Sequence, residues 1–287
     1  MRDLNYELKK LCDRNRDGSF GTQRRRAYQL SQIANQLHEL GFRYMRATSL
    51  KQKHVLALVQ LWHEQELKPG TVKNRMAALR WWAEKVGKRS VIANNNDHYG
   101  IAQRQYVATQ SKAKNVNGEQ LSRITDPYTR LSLKLQREFG LRREESIKFI
   151  ARYADKGDHL LLKPSWTKGG KARRIPVRTA EQRQLLDEVA KFAGSGSLIP
   201  ADKQFIDQQG KYVRQVMNAG LCRMHGLRHR YAQRRFQELA GFPCPVAGGP
   251  ARTALTSAQR GLDQEARRVI SRELGHERPQ IATVYLG

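Results

Sequence analysis

The chain has 287 residues, longer than one compact domain needs and enough for two cores. Its 53 Lys and Arg outnumber 26 Asp and Glu for a net charge of +27, which implies a polyanionic partner. No apolar run nears the ~20 residues of a membrane span. The opening MRDLNYELKK lacks a signal-peptide core, so a cytoplasmic protein without a membrane partner is expected.

Residues 22–40 place apolar side chains three and four apart, start at the possible cap Thr22 and stop at Gly41, which predicts an amphipathic helix. A second helix is expected over 50–66. Lys68-Pro69-Gly70 breaks it before a third, TVKNRMAALRWWAEKV, which ends at Gly87. These make a small all-helical domain over 1–95. Arg24, Arg25, Lys73, Arg75 and Arg80 recur beside its apolar faces and suit DNA phosphates. Trp81-Trp82 reads as core, and Lys85 and Arg89 as phosphate contacts or plain surface.

Periodicity fades from about Ser90, and residues 96–117 are taken as the linker. A domain over 118–287 follows. Helices are expected at Glu119–Ile124, at Pro127–Phe139 closing on Gly140, and at Arg143–Tyr153. The stretch DHLLLKPSWTKGGKARRIPV reads as two strands bent at Gly169-Gly170, with basic Lys171, Arg173 and Arg174 available to DNA. Helices over 180–194, 203–219, 225–241 and 259–274 complete a mainly α fold with a small antiparallel β-sheet. The three cysteines Cys12, Cys222 and Cys244 are too few and too scattered for a disulfide framework or a Cys-rich zinc site.

Four separated patches resemble, in order, the motifs of tyrosine site-specific recombinases of the phage integrase family. GLRREE over 140–145 is similar to the GLRxxE motif, with Arg142 as the first catalytic arginine and Glu145 as the supporting acid. WTKGGKARRIPV is similar to the family's lysine hairpin; counting back from Pro176 favours Lys168 over its competitor Lys171. HGLRHRYA resembles the HxLRH box and gives His225 and Arg228, with His229 as a packing or supporting residue. LGHERPQIATVYLG resembles the LGH…Y ending, with His276 nine positions before Tyr285. The resemblance covers the chain from about residue 118, and more loosely KPGTVKNRMAALRWW before it. It implies an N-terminal SAM-like core-binding domain and a C-terminal catalytic domain.

The chemistry fits these residue types. A pentavalent phosphate gathers charge that two guanidiniums, Arg142 and Arg228, can meet with paired hydrogen bonds. The alkoxide leaving group needs a proton, which Lys168 on a hairpin can bring. A phenol with an ordinary pKa near 10 needs a base; His225 is expected in that role and His276 as an extra phosphate donor. Attack by Tyr285 retains the bond energy in a protein–DNA ester, and the resemblance implies a 3′-phosphotyrosine. No cofactor is expected, and no metal. His225 and His229 have a zinc-like spacing, but Gly226 stands where an HExxH glutamate would.

The resemblance further implies recombination sites in double-stranded DNA as substrate, a homo-oligomer ending in a synaptic tetramer, accessory bending or directionality factors, and a bacterial mobile element as setting. Two features depart from the family. Forty-eight positions separate Arg228 from His276, and the excess, about 241–261, reads as an inserted surface loop for contacts with DNA or a neighbouring subunit. Only Leu286 and Gly287 follow the tyrosine, where family members carry a segment that docks on a neighbour. Either the chain is shortened or its subunits communicate through another surface. The alternatives are a type IB topoisomerase, a DNA-binding protein of the same fold without catalysis and, from charge alone, a packaging protein.

Overall fold

The computed structural model describes residues 3–276 and 278–287. Two compact units divide at Gln105 and Tyr106.

In the first unit, α1 (Asp3–Arg14), α2 (Phe20–Glu39), α3 (Gln52–Glu64) and α4 (Pro69–Lys85) surround one apolar core. The periodicity predicts no helix before residue 22, yet Leu4 and Leu8 of α1 are buried. Ser19, not Thr22, caps α2: its hydroxyl accepts from the Thr22 amide at 3.3 Å. Pro69 begins α4, where its missing N–H costs nothing. Trp62 and Trp82 fill the centre. Each satisfies its indole N–H, Trp62 on the Gln36 side chain at 3.0 Å and Trp82 on the Ala47 carbonyl at 2.8 Å. Trp81, expected as core with Trp82, lies instead at the rim: it donates to Asp17 at 2.8 Å and carries the Arg26 guanidinium 4.3 Å from its ring centre.

The second unit contains α5 (Gly118–Ser122), α6 (Pro127–Phe139), α7 (Arg143–Ile147), α8 (Ala151–Ala154), β1 (His159–Leu162), β2 (Arg173–Pro176), α9 (Ala180–Ala193), α10 (Phe205–Asn218), α11 (Gly226–Ala240), α12 (Ser257–Glu273) and α13 (Thr283–Leu286). The strands pair antiparallel, with Leu162 opposite Arg173 and His159 opposite Pro176. The helix expected over Arg143–Tyr153 breaks between α7 and α8. The break sends Ile147 into one apolar cluster and Phe149 into another, and the Phe149 carbonyl accepts from the Leu198 amide at 3.2 Å.

The expected linker is not a free tether. Tyr99 and Ile101 are buried in the first core, and Val116 in the second. Residues 106–114 run along the second unit: the Ala108 amide donates to Thr283 and the Lys114 amide to Gly226, both at 3.0 Å. The inserted segment is likewise more than a surface loop. Cys244 and Leu255 are buried, short turns form at Pro245–Ala247 and Arg252–Ala254, and its end is already the first turn of α12. No described helix is long and apolar enough to cross a membrane.

Candidate functional site

Glycine places the first arginine. Gly140 ends α6 at φ +61°, and a Cβ there would lie 2.6 Å from the Tyr231 ring, so a side chain meets both strain and collision. Arg142 then caps α7. Its amide donates to Glu145 Oε2 at 2.6 Å and its Nη1 to Glu145 Oε1 at 2.7 Å. Burial pushes the Glu145 carboxyl up, but Arg173, with Arg228 and Arg142, holds it down at about 2.

The His225–His229 turn opens α11 beneath residues 112–114. A Cβ on Gly226 would lie 2.3 Å from Lys114, so only glycine lets that crossing approach. Arg228 is 1% exposed. Its Nη1 donates to the Gly140 carbonyl at 2.6 Å, its Nη2 to the Leu274 carbonyl, and its Nε to Tyr285 Oη at 3.3 Å. Desolvation, with the Arg173 charge, lowers its pKa to about 10, so the guanidinium remains a cation at neutral pH.

Tyr285 is 4% exposed on α13, with Oη also 3.3 Å from His276 Nε2. Desolvation first, then Arg228, Arg142 and Arg173, bring His276 down to about 4, so the ring beside the phenol is neutral near pH 7. His229 packs against the tyrosine at 4.7 Å between ring centres and is lowered to about 4 by desolvation, His225 and Lys112. His225, expected as the base, lies further off at 6.2 Å between ring centres. Desolvation and Arg228 lower its pKa. His276 is therefore the imidazole within hydrogen-bond reach of the hydroxyl in this arrangement.

Next to this cluster opens a cavity of about 700 Å³, lined by Arg142, Lys168, Lys171, Arg174, Arg272, His276 and Arg278 among others. The lining described contains no carboxylate. Lys168 stands exposed on the turn between the strands, where Gly169 and Gly170 take φ of 93° and 68°. All six residues singled out for catalysis thus lie at this cavity or in the cluster that His276 joins to it. Among the described residues, no group of three His, Cys, Asp or Glu side chains could hold a metal ion.

Several residues expected to meet DNA have other tasks. Arg173 is 7% exposed and forms a paired bridge to Glu145, Nη1 to Oε1 at 2.8 Å and Nη2 to Oε2 at 2.6 Å. Arg80 donates to the Ala93 carbonyl and to Asn96, and Arg75 lies 5.4 Å from the Trp62 ring centre. Lys85 pairs with Asp17 and Arg89 with Glu84. Arg24, Arg25, Lys171 and Arg174 are exposed, and Lys73 is half-buried. Arg272, Arg278 and Gln233 were not expected from the sequence. Gln233, whose Nε2 donates to the Tyr285 carbonyl at 3.1 Å, follows His225 and His229 at intervals of four on α11, a signal that could have found it. The two arginines flank the LGH motif in a basic chain and carry no comparable signal.

Comparison with known proteins adds independent findings. Residues 1–92 match the family described as phage integrase, N-terminal, and residues 102–234 match the family described as integrase. A lambda integrase dimer bound to a COC′ core site is similar in structure, with a TM-score of 0.62 at 15% identity, covering 99% of this chain and 77% of that one. XerH site-specific recombinase on a palindromic difH substrate gives 0.60 at 16%, covering 99% and 81%. The Tn1549 transposon integrase with circular-intermediate DNA gives 0.56 at 14%, covering 100% and 96%. No curated protein sequence matches.

Proposed function

The chain belongs to the phage integrase family of tyrosine recombinases, and from that premise we propose that Tyr285 is the nucleophile with which it cuts and rejoins DNA at specific sites. The observation that carries this reading is the basic cavity, with no carboxylate among its described lining residues, joined through His276 to the hydroxyl of Tyr285. A phosphodiester is the anion that such a lining suits, and a phenol beside a neutral imidazole and a buried guanidinium is placed to attack it.

The step follows from these positions. Tyr285 Oη forms a bond to phosphorus as the P–O5′ bond breaks. The phenolic proton passes to His276 Nε2, the acceptor in reach at 3.3 Å, and Lys168 supplies a proton to the departing O5′. Arg142 and Arg228 hold the nonbridging oxygens, and Arg228 already touches the nucleophile. Glu145 orients Arg142, and His229 packs the tyrosine ring. The resulting 3′-phosphotyrosine keeps the bond energy, so a 5′ hydroxyl can reverse the reaction.

Double-stranded DNA is the partner. Lambda integrase has been seen as a dimer on a core site and as a tetramer on a Holliday junction. We propose the same assembly here, acting for a mobile element in a bacterial cytoplasm with accessory factors setting direction. Arg24, Arg25, Lys73, Lys171 and Arg174 are assigned to DNA phosphates.

The test is to incubate the protein with fragmented genomic DNA in EDTA, denature, and sequence any DNA that stays attached to protein. Recovery of discrete sites that then exchange strands pairwise supports the reading. Tight binding with no attached DNA overturns it.

A further inference from the structure

We propose that Arg173 is a positioning residue for the strand-transfer reaction: it fixes the hairpin that carries Lys168 in register with the helix that carries Arg142 and the turn that carries His276. The inference rests on the reading of the site given above, and three observations lead to it. Arg173 begins β2, opposite Leu162, so it forms one foot of the turn over 163–172. Both its terminal nitrogens bridge Glu145, the same carboxylate that holds the Arg142 amide and guanidinium. It also reaches the LGH turn. Its Nη1 lies 3.5 Å from the Leu274 carbonyl, and a Cβ on Gly275, at φ +66°, would stand 3.0 Å from Arg173 Cδ and Nη1.

The Leu274 carbonyl accepts from Arg142, Arg173 and Arg228 together, so three motifs far apart in sequence share one anchor. Within the hairpin, Thr167 Oγ1 donates to the Lys171 carbonyl at 2.6 Å and the Gly170 amide to the Thr167 carbonyl at 3.2 Å, which closes the turn on itself. With the turn closed, the placement of Lys168 depends on how its feet are held. A planar fork with two parallel bonds to Glu145 sets both distance and angle, which a lysine at this position cannot do.

The role differs from that of a bridge that only stabilises the fold, because it acts on one chemical event. When Tyr285 Oη bonds to phosphorus and P–O5′ breaks, the proton moving from Lys168 Nζ to O5′ must arrive in time. A hairpin out of register delays that proton even on DNA that is fully bound. If the leaving atom is sulfur, which departs as a thiolate without a proton, the delay disappears.

Arg173→Lys keeps the buried charge and loses the fork. Arg173→Met serves as a second variant, and thermal melting reports whether each is folded. Two measurements are made on the full chain. Limited trypsin digestion, read by mass, follows cleavage after Lys168 and Lys171 and needs no DNA. Adduct formation is then timed at saturating DNA on the fragment recovered by the wild type, with oxygen or with 5′-bridging sulfur at the scissile position. Arg173→Lys is expected to speed hairpin cleavage about tenfold. At saturating DNA it should slow the adduct step about 100-fold with oxygen and only a few-fold with sulfur, as Lys168→Ala should. Unchanged trypsin cleavage in the folded variants, or a slowing that sulfur does not relieve, overturns the proposal. If the wild type forms no adduct on any DNA, the recombinase reading fails, and the trypsin result alone decides whether Arg173 holds the hairpin.

Discussion

Both units are helical, yet they differ in what they bury. Among the described residues of the first unit, the polar side chain in the core is His54, and the rest of the interior is aliphatic and aromatic. The second unit buries Asp126, Glu145, Arg173, Arg228, Asp263, Arg267 and Glu273. A buried ion pair repays its desolvation only with good geometry and often adds no stability over an apolar substitute. The first unit therefore shows what a stable helical domain needs, and of the charges inside the second, Glu145, Arg173 and Arg228 lie at the candidate site. In the first unit Arg26 and Arg75 are laid on tryptophans, whereas in the second Arg142, Arg173 and Arg228 converge on Glu145 and the Leu274 carbonyl.

The contrast is broken most directly by removing a cation from each unit. Arg228→Ala is expected to cost about 1–3 kcal/mol in urea unfolding, because it leaves the Gly140 carbonyl without its donor. Arg24→Ala, at an exposed position, should stay within about 0.5 kcal/mol. Equal costs would erase the distinction.

Acid sharpens it next. The Glu145 carboxyl is depressed to about 2, so its contribution is complete above the unfolded value near 4.3 and is lost as pH falls through about 2. Acid unfolding should accordingly be shallower over that window in Glu145→Gln, although the variant starts less stable. A parallel pair of curves would contradict the assignment.

The histidines act with the same sign in a higher pH window. His276 and His229 are held near 4, below an unfolded value near 6.5, so the folded state binds fewer protons and loses stability as pH falls from 6.5 through 4. Ring proton NMR should find both neutral at pH 6. Titration of either ring near 6.5 would remove its share of the acid loss of stability.

For the first unit, the expected change is in binding. Arg24→Ala with Arg25→Ala should flatten the plot of log affinity against log salt by about 0.9 for each phosphate no longer neutralised, with the melting temperature unchanged. An unaltered slope would take α2 off the DNA.

That these residues meet at one candidate site was legible from their motifs, which recur in order along the chain. Gly140, Gly226 and Gly275 also have physical reasons: each lets a side chain or backbone come closer than a Cβ permits. Other features were obscured by competition between principles. Lys148 to Ile150 continue a helical pattern, and only the pull of two separate apolar clusters breaks it. Arg173 was assigned to DNA because it lies in a basic run. Strand alternation was the better guide, since Arg173 shares the buried face of β2 with Ile175 while Arg174 points out. His225 was preferred to His276 as base, whereas in the fold His276 is the ring within reach of the phenol hydroxyl.

The central claim is that Tyr285 attacks the phosphate. The direct measurement is to digest the protein–DNA adduct formed in EDTA with nuclease and protease and sequence the modified peptide by mass spectrometry. A nucleotide on Tyr285, with no adduct from Tyr285→Phe although that variant still binds the DNA, is the predicted result. A nucleotide on any other side chain, or an undiminished adduct from Tyr285→Phe, would contradict it.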